Sequence, residues 1–509
     1  MTIETQKHAT ALVRDALPSA CRETALNWIG GEWRHSESKD TFTTINPTTG
    51  SPLYDVAMAG KAEIDAAVAA GENAQKQWWL TDGQDRARVL RKIADGIRTH
   101  SASLGLLDTL DAGRPIRDTR TRDAERAARL FEFFAGMTDR LRGANIPVQP
   151  GRLNYTELEP YGVVAGISSW NYPLTNAAGK IAPALATGNA IVLKPAEDSP
   201  LSALLLAAVA DEAGLPAGLL NVLNGIGNVT GEALIRNPVI GQVSFTGSTD
   251  VGRHIGLVCG DTLKSVSLEL GGKAAFIVFD DADLDRAADA LVFSAFNNAG
   301  QTCTAATRLF LSKSIAKNFL NAVMKRLSKV QFGNPLDPDT LIGPLISAKQ
   351  MHRVHDYFLA GVAEGALSLD LDTIALPDDG YFVKPIIFQN VKPDMRIAQE
   401  EVFGPLLSVF EFEDEDDVVE QANATVYGLA GSAWTSDLQR ATRLARSLKA
   451  GLVWINTVHS LHPGSPYGGF KQSGTGLEMG QEAIQHLMKS KSVWIEEGPW
   501  QSPGGSISG

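Results

Sequence analysis

From Tyr161 onward the chain alternates short β-branched apolar runs with longer Ala- and Leu-rich segments of helical spacing. Residues 162–167, 190–193, 219–223, 242–245 and 265–268 are predicted as strands, with helices over 178–185, 201–213, 229–236 and 251–258 between them. Such alternation predicts an α/β fold, a doubly wound parallel sheet with helices on both faces. Residues 274–279 and 308–311 are two further strands framing a helix over 284–297, and a second mixed α/β region runs to about Asn456. Ahead of the sheet, 61–140 predicts three helices. The first carries a stripe starting at Ala66, Ala67, Val68 and Ala70. The second covers 86–110 through Leu90, Ile93, Ile97 and Leu104, and Gly113 and Pro115 stop it. The third covers 117–141. Residues 143–160 and 488–497 are predicted to be extended segments outside both domains, and 501–509 a disordered tail. The acidic run 411–417 is predicted as a solvated turn and helix start.

A chain of 509 residues is longer than one hydrophobic core usually supports, so two or more domains are expected. The 46 Lys and Arg against 58 Asp and Glu leave a net charge of −12, which repels nucleic-acid phosphate and anionic lipid in the absence of a basic patch. No such patch occurs, so neither nucleic acid nor membrane is expected as a partner. The first residues lack the apolar run of roughly 7–15 that a signal peptide needs. Nowhere do roughly 18 apolar residues follow one another as in a membrane span. Cys21, Cys259 and Cys303 are too few and too scattered for a disulfide framework or a CxxC metal site. A cytoplasmic protein without a metal is the expectation.

Ligands of doubly wound sheets bind at the carboxyl ends of the strands, and four loops there carry candidate chemistry. In Ser168-Ser169-Trp170-Asn171-Tyr172-Pro173, Asn171 is either turn chemistry or an amide aimed at a developing oxyanion. Lys194 and Glu197 are either a surface ion pair or a grip on the hydroxyls of a nucleotide ribose. A carboxylate at the ribose 2′-hydroxyl would favour NAD over NADP. Gly247 and Ser248 pass from a strand into a helix, which makes either an anion site or a packing turn. Glu269 sits between leucines at a strand end, where burial should raise its pKa into the range of a general base. Cys303 lies near the start of a new element, where helix N–H groups could acidify a thiol into a nucleophile. Cys21 and Cys259 lack that context and are read as structural.

Taken together, these loops resemble those of the NAD(P)-dependent aldehyde dehydrogenase superfamily. The likeness rests on Leu268-Glu269-Leu270-Gly271-Gly272-Lys273, on Asn298-Ala299-Gly300-Gln301-Thr302-Cys303, and on Trp170-Asn171-Tyr172-Pro173. It extends to Lys194-Pro195-Ala196-Glu197, Phe245-Thr246-Gly247-Ser248-Thr249, Glu400-Glu401-Val402-Phe403-Gly404-Pro405 and 466–474, in order from about residue 28 to 495. The resemblance implies a doubly wound cofactor domain (22–142 with 161–270) and an α/β catalytic domain (271–455). A β arm (143–160 with 488–497) would pair copies into homodimers or homotetramers, leaving 1–21 and 501–509 as tails. It further implies that Cys303 attacks an aldehyde and that Asn171 and the Cys303 N–H hold the oxyanion, at roughly 3–4 kcal/mol per donor. Glu269 would activate the water that hydrolyses the thioester. NAD, with NADP as the variant cofactor, would be held by Ser168, Trp170, Lys194, Glu197, Gly247, Ser248, Glu401 and Phe403. A CoA-acylating relative and a non-catalytic scaffold are the competing readings. Glu269 argues against the first, and intact Cys303, Glu269 and Asn171 against the second.

By the same resemblance the aldehyde tunnel is lined by Tyr172, Asn176, Gly179, Asn297, Thr302, Thr304, His459, His462 and Tyr467. Many relatives place Trp where this chain has Gly179, and relatives specific for succinic semialdehyde place Arg there. The glycine implies a roomier tunnel without that arginine's grip on a distal carboxylate. It also removes a wall of the aromatic cage that a quaternary ammonium needs. The expected substrate is a bulky, moderately polar aldehyde, aromatic or a ring-cleavage semialdehyde.

Overall fold

The computed structural model describes residues 3–369, 371 and 374–500, so the tail predicted at 501–509 lies outside the described residues. Two sheets organise the chain. The first orders its strands Glu32–Arg34, Asn27–Ile29, Leu220–Val222, Ala190–Lys194, Val163–Ile167, Ile240–Thr246, Ser265–Glu269 and Gly474–Thr475. From Leu220–Val222 to Ser265–Glu269 all neighbours are parallel, and the outer strands are antiparallel. Every residue of Val163–Ile167 and Ala190–Lys194 is buried, because helices cover both faces. That explains why these strands read as unbroken apolar runs and not as alternation. The helix Leu201–Glu212 is apolar on nearly all sides for the same reason. Strand order reverses between Val163–Ile167 and Ile240–Thr246, which opens a crevice at their carboxyl ends.

The second sheet runs Leu367–Ser368, Ile386–Gln389, Leu406–Phe412, Ala306–Ser312, Ala274–Val278, Ala430–Trp434 and Leu452–Ile455, parallel except at its first pair. Each sheet has its own apolar core. The segments expected to be extended form a separate antiparallel sheet, in which Met488–Glu496 pairs along the whole of Arg152–Pro160 and Asn145–Ile146 adds a short edge. Asp414 caps the helix Glu415–Asn423, as the acidic run implied, although Glu411 belongs to the preceding strand.

Three expectations about helices need correction. The helix expected over 86–110 is two, Gly83–Thr99 and Ser101–Ala112. His100 leaves helical geometry between them (φ −93°, ψ 12°), and its N–H bonds back to the Gly96 carbonyl as a cap. The third helix is regular only over Ala124–Ala135, after one wide π turn at Asp118–Asp123. Part of the expected N-terminal tail is the helix Ile3–Ala16, whose Ala9 and Val13 are buried in the first core.

Asn189 ties the C-terminal segment to the first sheet. Its Oδ1 accepts from the Gly162 N–H at 3.0 Å, and its Nδ2 donates to the Leu487 carbonyl at 2.9 Å, with no solvent exposure. Asn189→Ala strands both partners and should cost roughly 2–4 kcal/mol. A denaturant midpoint equal to wild type would contradict this account.

Candidate active site

The carboxyl ends of the two sheets face one cavity of about 1040 Å³. Its wall includes Trp170, Asn171, Tyr172, Asn176, Gly179, Gly247, Ser248, Glu269, Thr302, Cys303, Thr304, Glu401, Phe403, His459 and Tyr467. Fifteen positions of the sequence reading, spread from Trp170 to Tyr467, therefore meet in one space.

The loop carrying Cys303 is fastened to the loop after Val163–Ile167. Asn171 donates Nδ2 to the Gln301 carbonyl at 3.1 Å. Asn298 donates Nδ2 to the carbonyls of Asn171 (3.0 Å) and Gln301 (3.1 Å). The side chain of Gln301 closes the turn on the Asn298 carbonyl and accepts from the Ile346 N–H. Beneath them Arg114 donates to the Asn171 carbonyl at 3.2 Å, pairs with buried Asp123, and lies 3.9 Å from the centre of the Tyr172 ring. The LGG segment owes its glycines to close approach. A Cβ at Gly272 would overlap the Cys303 carbonyl, and one at Gly271 would strike the Glu401 carboxylate. Glu401 in turn accepts from the Gly272 N–H at 2.8 Å. Phe403, at φ 59°, sets its ring edge-on to Trp170 at 5.2 Å.

Burial governs the titrating groups. Glu269 has no hydrogen-bond partner on either carboxylate oxygen. Burial drives its pKa well above the ordinary range and the charge of Glu478 adds to this, against Lys180. Lys180 itself is held by Glu478 Oε1 at 2.5 Å, Ser244 Oγ at 3.0 Å and Thr246 Oγ1 at 2.9 Å. The raised carboxyl agrees with the sequence reading; the thiol does not. Cys303 is followed by a strand, Ala306–Ser312, with no helix N-terminus behind the sulfur. Burial pushes its pKa up to about 12, although Tyr467 Oη stands 3.1 Å from Sγ and works in the opposite direction.

Five expected residues lie off the wall. The Ser168 N–H donates to the Lys194 carbonyl at 3.1 Å. Lys194 is buried and pairs with Glu197 at 3.2 Å, beside the cavity at the adjoining strand end. Burial leaves the Lys194 ammonium below its usual pKa. Burial pushes Glu197 the other way, but the Lys194 charge and backbone donors leave it below the ordinary value. Asn297 and His462, expected in the tunnel, are corrections. Asn297 is the C-cap of the helix Leu284–Phe296, and exposed His462 accepts from the Gly464 N–H to close a turn. His459 does line the cavity, stacked on Trp454 with Nε2 2.9 Å from Ser294 Oγ.

Several wall residues escaped the sequence reading. Gln350 and Arg353 hold the Glu401–Phe403 loop through its carbonyls, and Arg126 lines the same cavity. The spacing of polar residues on one helical face was their only signal. Among the described residues no helix is long and apolar enough to cross a membrane, and no cluster of three or more His, Cys, Asp or Glu could hold a metal ion.

With the thiol pKa this high, alkylation of Cys303 by iodoacetamide in the absence of cofactor should rise about tenfold per pH unit from pH 7 to 9. A plateau near neutrality would show an acidified thiol instead.

A family model for the aldehyde dehydrogenase family matches residues 33–493. Among solved structures, a candidate aldehyde dehydrogenase from Burkholderia cenocepacia is 42% identical, with TM-score 0.91 and coverage of 93% of this chain and 97% of that one. PnpE from Pseudomonas sp. WBC-3 is 40% identical, with TM-score 0.90 and coverage of 94% and 99%, and PnpE in complex with nicotinamide adenine dinucleotide matches at the same identity and coverage with TM-score 0.91. The NAD+ complex of an aldehyde dehydrogenase from Bacillus cereus is 38% identical, with TM-score 0.91 and coverage of 93% and 97%.

Proposed function

The chain belongs to the aldehyde dehydrogenase family, and we propose that it oxidises an aldehyde to the carboxylic acid with NAD through a thioester on Cys303. The observation that carries this reading is one cavity faced by the Cys303 thiol, the Asn171 amide and a Glu269 carboxyl with both oxygens unpartnered.

Cys303 gives up its proton to solvent water as its sulfur forms a C–S bond to the aldehyde carbon. The carbonyl oxygen becomes an oxyanion, and the second N–H of the Asn171 amide and the Cys303 backbone N–H are its donors. Loss of hydride from the carbon leaves a thioester. NAD, when bound, supplies the hydride acceptor. Glu269 then takes a proton from water as the oxygen attacks, the C–S bond breaks, and the acid leaves with the thiol restored. The raised pKa of Glu269 suits a group that must hold that proton.

The cofactor fits the residues beside the thiol. Ser248 caps the helix Thr249–Asp261, whose first N–H groups border the cavity at Gly247 and suit a pyrophosphate. Ser168, Lys194 and Glu197 at the adjoining strand end suit the adenine ribose, and the carboxylate favours NAD over NADP. Trp170, Glu401 and Phe403 border the nicotinamide side. The arm sheet exposes Trp494 and Ile495 on its C-terminal strand, which supports assembly into homodimers or homotetramers. The three cysteines, all unpaired, fit a cytoplasmic enzyme. An added Cβ at Gly179 meets nothing within 4 Å, which supports the roomy tunnel and a bulky, moderately polar aldehyde.

Cys303→Ala should abolish NADH formation while NAD still quenches protein fluorescence; retained turnover would refute the thioester route. Glu269→Gln should give a burst of NADH of about one equivalent per site, then slow turnover, because only deacylation has lost its base. Linear NADH production at the wild-type rate would remove Glu269 from the chemistry. For the tunnel, kcat/KM for benzaldehyde should exceed that for acetaldehyde, and the reverse order would overturn the substrate assignment.

A further inference from the structure

Arg126 stands out among the arginines that line the cavity. It lies on the helix Ala124–Ala135, half-buried, and lines the cavity with Leu130 one turn on and Thr175, Gly179 and His459 on neighbouring elements. The carboxylates nearest it in sequence are committed elsewhere. Asp118 pairs with Arg122, Asp123 with Arg114, Glu125 with Arg98 and Arg129, and Glu132 with Arg98. Among the described residues Arg126 has neither an ion-pair partner nor a hydrogen bond. A guanidinium drawn partly out of water without a carboxylate is costly unless something supplies one.

Its charge is felt at the reacting end. It acts on the Cys303 thiol, on Tyr467 and on His459, whose imidazole is pushed down to about 4 by burial and then by Arg126 and Arg122. His459 is therefore neutral near pH 7, and it faces Arg126 without competing for an anion. In the same cavity, Gly179 leaves open space where a side chain would otherwise stand.

Building on the aldehyde-oxidising reading above, we propose that Arg126 binds a carboxylate that the substrate carries distal to its aldehyde, in the space left by Gly179. The substrate class is then the semialdehyde of a dicarboxylic acid. The planar fork of the guanidinium takes the carboxylate through two parallel hydrogen bonds, which fixes the far end of the substrate while its carbonyl carbon meets Cys303. The bulky, moderately polar aldehyde is thereby narrowed to one with a fixed negative charge.

The test compares para-carboxybenzaldehyde with para-methylbenzaldehyde, near-isosteric and differing in charge, and succinic semialdehyde with butanal, all at saturating NAD. Wild type should favour the charged member of each pair by roughly 10–100-fold in kcat/KM, the range of a charge-assisted pair. In Arg126→Gln that ratio should fall at least tenfold, chiefly through KM, and Arg126→Lys should restore part of it. Turnover of both members without discrimination, or an unchanged ratio in Arg126→Gln, overturns the assignment of Arg126 and leaves aldehyde oxidation standing. Absence of NADH from every aldehyde overturns both. The wild-type ratios stand as a test even if the variants fold poorly.

Discussion

Everything at the active site depends on the hydrogen-bonded clamp between the loop after Val163–Ile167 and the turn that carries Cys303. Asn171, Asn298 and Gln301 hold these segments together from opposite sheets. The turn does not fold this way for local reasons. Asn298, Ala299 and Gly300 follow one another in left-handed geometry, at φ 55°, 53° and 73°. For Ala299 that conformation costs on the order of 1–2 kcal/mol with no side-chain bond to offset it. The clamp opposes that cost, and Arg114 adds a charged donor to the same carbonyl. Without the clamp, thiol and amide would belong to two sheets with no fixed relation.

The strands were legible where one physical constraint acts alone. Val163–Ile167 and Ala190–Lys194 are buried on both faces, so apolar runs and strand bounds coincide to within a residue or so. The break at His100 was not legible, because Leu90, Ile93, Ile97 and Leu104 keep helical spacing on either side of it. Periodicity reports which face is buried; it does not report that the burying partner changes. The helix Ile3–Ala16 hid for a related reason. Its buried positions are few, and they are explained by partners distant in sequence, the strand Ser51–Ala57 and the helix Ser101–Ala112.

In the site, some residues have causes visible in their own stretch of sequence and others depend on distant partners. The glycines of the LGG segment, Glu269 and Asn171 have local causes: close approach, a strand end, a turn. Asn297 and His462 were drawn into the tunnel by alignment, yet each closes its own local turn. Arg126 reads in sequence as one more charge on an amphipathic helix. Its character depends on which of Asp123, Glu125 and Glu132 have already been taken by Arg114, Arg98 and Arg129, none of which spacing reveals.

The electrostatics of the cavity follow from burial acting on every group at once. It raises Glu269 and Glu401, the latter to about 7, and raises the Cys303 thiol. Each moves toward its neutral form, so a charge that develops on oxygen or sulfur meets few competing ions in a medium of low dielectric. The same burial has opposite value for the two central groups. A carboxyl that must hold a proton gains from it; a thiol that must lose one is hindered. The conflict is resolved by neighbours and not by depth. The charge of Glu478 reinforces the raised carboxyl, whereas the Tyr467 hydroxyl and the Arg126 guanidinium both act to lower the thiol. An anionic substrate on Arg126 would cancel part of that lowering, so the strength with which the far end of the substrate is held must be set against the reactivity of the sulfur at the near end.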